Sequence, residues 1–166
     1  MSDPIFKKER TLYWPAEFGD VMAMLTGVKE GGEAGGPKVF QTNAHVMVLA
    51  AIIGVNNNRT RSIGNSQKKE ISTQTFALQN LDRYLLLVPL LGNSTLGQDL
   101  LRTEHEDTGL KMFEDYAGGG LEILARLFNE SAGKSPEIVL QNELLSIIET
   151  FDKDSNDSDA VPDIFA

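Results

Sequence analysis

The chain has 166 residues, a formal net charge of −9 and no cysteine. Its length predicts one domain, or one domain with tails, and a hydrophobic content of 41% is enough for a core. The absence of cysteine excludes disulfides, thiol catalysis and cysteine–metal sites. The negative net charge argues against a protein that wraps nucleic acid, because phosphates bind best to a basic surface. It favours a basic partner instead.

The N-terminal part combines a short extended segment with a helix. The first residues lack the apolar segment of a signal peptide, so we expect a cytoplasmic protein without a membrane span. The segment from Arg10 to Trp14 is rich in β-formers and is compatible with a short strand. A helix is expected to open at Pro15 and to end at Gly27. Four glycines and a proline make residues 30–37 a flexible connector.

An apolar run from Ala44 to Val55 dominates the chain. It is too short to cross a bilayer, and we interpret it as a helix with Thr42 or Asn43 as its N-cap. Gly54 and the three asparagines that follow Val55 are expected to end it. A helix that is apolar on every side must be covered on every side. We therefore expect a buried central helix, covered by the chain's own helices or partly by a second copy.

The polar segment 56–70 holds the main concentration of positive charge in the chain, at Arg59, Arg61, Lys68 and Lys69. One reading is a contact to phosphate or to an acidic partner surface. The other reading is a solvated loop whose cations balance an acidic body.

Two further helices follow, each with an irregular feature. The leucine-rich segment 73–91 predicts a helix that Pro89 kinks or terminates. Asn80 or Asp82 is an alternative start, which would place a short turn before a helix from about Leu81. An amphipathic helix is expected within residues 104–129, although Gly118, Gly119 and Gly120 lie in its middle. Each glycine costs about 1 kcal/mol relative to alanine, so something should compensate. Either the helix breaks there, or the glycines admit another backbone or a ligand.

The last predicted helix opens at Ser135 and Pro136. Its expected buried stripe consists of Ile138, Leu140, Leu144, Leu145, Ile147 and Ile148. Residues 152–166 carry five aspartates and one lysine and are expected to be a disordered acidic tail. Because the tail regains apolar character at its end, it is a candidate docking motif for a basic, grooved partner.

These elements predict an all-α fold, a single-domain bundle of about five helices over residues 1–151. No metal or cofactor site is expected. The carboxylates and imidazole of Glu104, His105 and Asp107 offer only a minority case for metal-assisted chemistry, because their spacing is not that of a known ligand motif. His45 is interpreted as a satisfied packing residue. The sequence contains no defensible catalytic constellation.

Three segments are similar to a family of small proteins that are encoded beside bacterial DNA phosphorothioation (Dnd) gene clusters. They are residues 44–59, the stretch 82–91 and, most specifically, the run FEDYAGGGLEIL at 113–124. The resemblance implies sulfur modification of DNA and restriction of unmodified foreign DNA as the context. It supplies no catalytic residues.

Two functions of different classes follow from these observations. The first is a non-enzymatic accessory protein of a modification or antiphage restriction system, which binds other proteins of that system. The alternative is a DNA-binding module that holds phosphates through the basic loop at residues 59–69.

Overall fold

The computed structural model describes residues 5–29, 31–32, 36–93 and 95–158. It contains two compact units, Met1–Glu130 and Ser131–Ala166. Residues 30 and 33–35 of the glycine-rich connector and residues 159–166 of the C-terminal tail lie outside the described residues. Among the described residues, no helix is both long enough and apolar enough to cross a membrane.

A two-stranded antiparallel sheet makes the fold helical but not all-α, which corrects the predicted class. Strand β1 (Thr11–Pro15) is the short N-terminal strand that the sequence suggested. Strand β2 (Lys68–Ser72) pairs with it, Thr11 opposite Ser72 and Pro15 opposite Lys68. The sequence KKEIS has one buried apolar residue and reads as a polar loop. Its pairing depends on a partner more than 50 residues away, so local patterns do not reveal it.

Helices account for most of the rest of the described chain. The first unit contains α1 (Gly19–Thr26), α2 (Asn43–Asn56), α3 (Thr73–Leu78), α4 (Tyr84–Gly92) and α5 (Glu106–Glu130). Short 3-10 turns lie at Ala16–Phe18, Gly97–Leu101 and Thr103–His105. The second unit contains α6 (Pro136–Ser158).

The local helix boundaries differ from the predictions at two prolines. Pro15 ends β1, and after a 3-10 turn the first α-helix begins only at Gly19. Pro89 lies inside α4, which continues to Gly92. Proline removes one backbone hydrogen bond from a helix. Leu85, Val88 and Pro89 itself are buried, so packing holds the helix together across the proline.

The apolar run forms α2, which packs most extensively against α5. Val46, Met47 and Ile53 of α2 are fully buried. The helix is not covered on every side, because Ile52 keeps 43% of its surface exposed. The helix ends within the three asparagines as predicted, at Asn56, and Asn58 adopts a positive φ of 47°, whereas Gly54 lies inside the helix.

Helix α6 differs most from its prediction. It extends to Ser158, inside the segment expected to be a disordered tail, and residues 159–166 lie outside the described residues. The predicted buried stripe is wrong for Ile138, Leu144, Leu145 and Ile148, which are exposed. Leu140 of that set is buried, as is its neighbour Val139, and Ile147 is half-buried. The apolar spacing of α6 thus predicted the burial of side chains that are in fact exposed.

Candidate functional site

The arginine segment, residues 59–61, follows α2 in the chain and is hydrogen-bonded both to the end of α2 and to the middle of α5. The backbone N–H of Arg59 donates a hydrogen bond of 2.8 Å to the carbonyl of Gly54. The N–H of Arg61 donates one of 2.8 Å to the carbonyl of Asp115 in α5. The arginine segment, for which a solvated loop was one of two readings, is therefore anchored at both ends.

The three consecutive glycines lie inside the continuous helix α5 rather than in a loop. A Cβ atom on Gly118 would lie 2.4 Å from the carbonyl oxygen of Arg61, and one on Gly119 would lie 2.1 Å from that of Arg59. A Cβ on Gly120 would lie 1.7 Å from the carbonyl oxygen of Ala50 in α2. The chain's own backbone fills the space beside all three glycines. This close approach compensates for their low helix propensity.

The same approach is made from the other helix. A Cβ atom on Gly54 of α2 would lie 2.1 Å from the carbonyl oxygen of Tyr116 in α5. The two groups that stood out in the sequence, the arginines and the glycines, therefore meet in one structural unit. Alanine or any larger residue would separate α2, the arginine segment and α5.

The side chains of the arginine segment are paired with carboxylates of the same chain. Arg59 donates through Nε and Nη2 to Oε2 of Glu122, at 2.9 Å and 2.8 Å. Arg61 lies 3.4 Å from the other oxygen of Glu122, and also donates to Glu17. Its guanidinium carbon lies 5.1 Å from the ring centroid of Phe18. A phosphate would have to compete with Glu122 and Glu17 for these cations.

Lys68 and Lys69 belong to strand β2 and not to the arginine segment. The Lys68 ammonium lies 4.0 Å from the ring centroid of Tyr13, a cation–π geometry. Lys69 pairs with Trp14 in the sheet register, so the two lysines face opposite sides of the strand. The four predicted cations are thus divided between two structural elements.

A cleft of about 450 Å³ lies beside the outer face of the sheet, against α5. Its lining includes Arg10, Tyr13, Ser62, Lys68, Lys111 and Glu114. Glu114 is only 8% exposed, and its carboxylate accepts a 2.9 Å hydrogen bond from the backbone N–H of Tyr13. Burial raises the pKa of Glu114, which the Tyr13 hydrogen bond partly opposes.

Sequence reasoning missed Glu114. The signal was present, because Glu114 lies one turn after Leu110 and one turn before Ala117 in the apolar stripe of α5. A carboxylate in that position must be buried with a partner or face a cleft. Here it satisfies an outward-facing N–H of β1, and the raised pKa lets it hold a proton at higher pH than an exposed glutamate.

The two histidines have structural neighbours. Nδ1 of His45 lies 3.0 Å from the Thr42 hydroxyl, at the N-cap position of α2. Nε2 of His105 lies 3.7 Å from Glu104, while Asp107 pairs with Arg10 at 3.4 Å. In the part of the chain that the structure describes, no three histidine, aspartate or glutamate side chains form a group that could hold a metal ion.

Helices α4 and α6 each expose more than one large apolar side chain. On α4, Leu87 and Leu91 are one turn apart, and Leu91 is 77% exposed. On α6, the exposed residues are Ile138, Leu144, Leu145 and Ile148. Apolar residues at helical spacing on a surface are typical of protein-binding helices.

The fold and these contacts define a mostly helical protein with a small antiparallel sheet, an internally paired arginine segment and exposed apolar helix faces. A family model described as DNA sulphur modification system-associated protein 4 matches residues 14–161. The chain belongs to this family, which associates it with a DNA sulphur modification system. Comparison with curated proteins and with solved structures gave no match.

Proposed function

We propose that this protein is a non-enzymatic accessory protein that binds another protein of a DNA sulphur modification system in the cytoplasm. Family membership supplies the system. The exposed apolar faces of α4 and α6 carry the proposal, because leucine and isoleucine side chains left in water at helical spacing indicate a contact surface. The proposal includes a role in marking host DNA or in restricting unmarked foreign DNA.

The absence of catalysis is supported by how the reactive side chains are used. His45 contacts the N-cap threonine of α2, and Glu114 accepts the backbone N–H of Tyr13. Asp107 pairs with Arg10. Each of these groups has a structural partner within the chain.

A DNA-binding module is the competing reading. The arginines that would hold phosphates already pair with Glu17 and Glu122, and the whole chain carries a charge of −9. Both observations favour a protein partner over a nucleic acid.

The test mixes the purified full-length chain with each purified protein of the DNA sulphur modification system of the same genome, and measures association by biolayer interferometry. We expect micromolar or tighter binding to one of them. In parallel, fluorescence anisotropy measures binding to a labelled duplex, plain and phosphorothioated, at low and physiological salt.

Two results would overturn the proposal. One is a chain that binds none of the proteins. The other is steeply salt-dependent duplex binding that the Arg59→Ala/Arg61→Ala variant loses while its circular dichroism spectrum stays native, since that result assigns the arginines to phosphates.

A further inference from the structure

Helix α6 carries an exposed apolar stripe, which consists of Ile138, Leu144, Leu145 and Ile148. These residues expose between 42% and 55% of their surfaces. At 3.6 residues per turn they fall within an arc of about 120°. Val139 and Leu140 lie outside that arc and are buried. The helix is therefore apolar on a second side, in addition to its buried one.

The stripe has the spacing of a helix that docks into a groove. Leu144 and Ile148 are four residues apart, and Ile138 and Leu145 are seven apart. Such i, i+4 and i, i+7 anchors place successive side chains along one line of the helix surface.

Charge identifies the chemistry of the surface that would cover the stripe. Residues 136–158 contain six carboxylates and one lysine. Glu137 and Glu149 of this helix are exposed. A second copy of the helix would bring two strongly acidic surfaces together, and nucleic acid would be repelled in the same way. A complementary surface combines an apolar groove with a rim of lysine and arginine.

We propose that α6 is a docking helix that inserts its apolar stripe into a basic-rimmed groove on another protein of the DNA sulphur modification system. This inference rests on the proposed function and names the element and the partner chemistry. The leucine and isoleucine side chains supply the affinity by leaving water. The carboxylates pair with the rim, orient the helix and accelerate association.

The experiment measures the Kd of full-length variants for the purified system protein that binds the wild-type chain. Leu145→Ser/Ile148→Ser on α6 should raise the Kd at least tenfold. Leu78→Ser/Leu101→Ser, at two exposed leucines that lie outside α4 and α6, should change it less than threefold. Circular dichroism and the emission of Trp14, the single tryptophan, verify that each variant is folded.

A second pair tests the charge. Glu137→Gln/Glu149→Gln should raise the Kd severalfold at low salt and flatten its dependence on salt, because attraction to a basic rim is screened by ions. An unchanged salt dependence would overturn the basic rim.

The remaining outcomes separate the two proposals. If the wild-type chain binds a system protein and the α6 serine variant binds equally well, the docking helix is wrong and the proposed function stands. If the wild-type chain binds none, both are wrong. If sedimentation shows a wild-type dimer that Leu145→Ser/Ile148→Ser dissociates, the stripe is covered by a second copy and the basic-rimmed partner is wrong.

Discussion

The Gly120→Ala substitution in α5 has two opposing effects on the stability of the protein, and the sign of each is known. Alanine is the better helix former by about 1 kcal/mol, so helix propensity alone predicts stabilisation. The structure predicts the reverse, because the added Cβ would lie 1.7 Å from the carbonyl oxygen of Ala50 and 2.8 Å from its Cα. Both neighbouring atoms are backbone, so no side-chain rotation relieves the clash.

The magnitude follows from the required movement. Carbon atoms pack best at about 3.5–4.0 Å, so α2 and α5 would have to separate by roughly 1.5 Å or more. A gap of 0.5–1 Å already forfeits a quarter to a half of the dispersion energy at an interface. Since these two helices form the main packing contact of the first unit, we expect a net loss of about 3 kcal/mol in the free energy of unfolding. For a chain of this size that lowers the Tm by roughly 6–12 °C.

The assay is urea unfolding followed by Trp14 fluorescence and by circular dichroism. Gly109→Ala is the matched control, because Gly109 lies in the same helix and a Cβ there would have no neighbouring heavy atom within 4 Å. We expect Gly109→Ala to be neutral or stabilising by up to about 1 kcal/mol. If Gly120→Ala were as stable as Gly109→Ala, the close approach of α2 and α5 would be refuted.

Two further predictions concern paired charges. Arg61→Ala should lower the free energy of unfolding by about 1–2 kcal/mol, and Arg59→Ala by less than about 1 kcal/mol. The reason is that the Arg61 side chain is 33% exposed, whereas that of Arg59 is 57% exposed. Equal losses in urea unfolding would contradict the packing role of Arg61. Glu114→Gln should gain stability relative to the wild type as pH rises above about 4.3, the ordinary glutamate pKa. Burial raises the folded-state pKa of Glu114, so folding takes up a proton there and wild-type stability falls with rising pH, whereas the amide oxygen of glutamine still accepts from Tyr13. A stability difference between the two proteins that does not vary from pH 4 to pH 7 would show that the carboxyl is not perturbed.

Much of the local structure was accessible from the sequence. The apolar run that forms α2 and the 3–4 spacing in α5 are local signals, and so is the β-rich segment that forms β1. Strand β2 was not accessible, because its residues become a strand only by pairing with β1. The predicted burial of the α6 stripe was wrong for a related reason. Apolar spacing identifies a hydrophobic face without indicating what covers it.

The candidate site shows the same division. Arg59 and Arg61 stood out as cations, and the glycines at 118–120 stood out as a cost that required compensation. Their contact was not visible in the sequence, since about 60 residues separate them. The pairing of both arginines with Glu122 and the burial of Glu114 also depend on how α5 lies against the rest of the first unit.

The sequence by itself determined the helical character, the acidic balance, the family and the positions at which ordinary propensity rules are broken. These properties follow from composition, spacing and local motif. Only the tertiary structure decided that the glycines serve backbone packing, that the arginines are internally paired, and that α6 keeps an apolar face in water. Each of these depends on which distant residues come within a few ångströms, and neither periodicity nor propensity contains that distance.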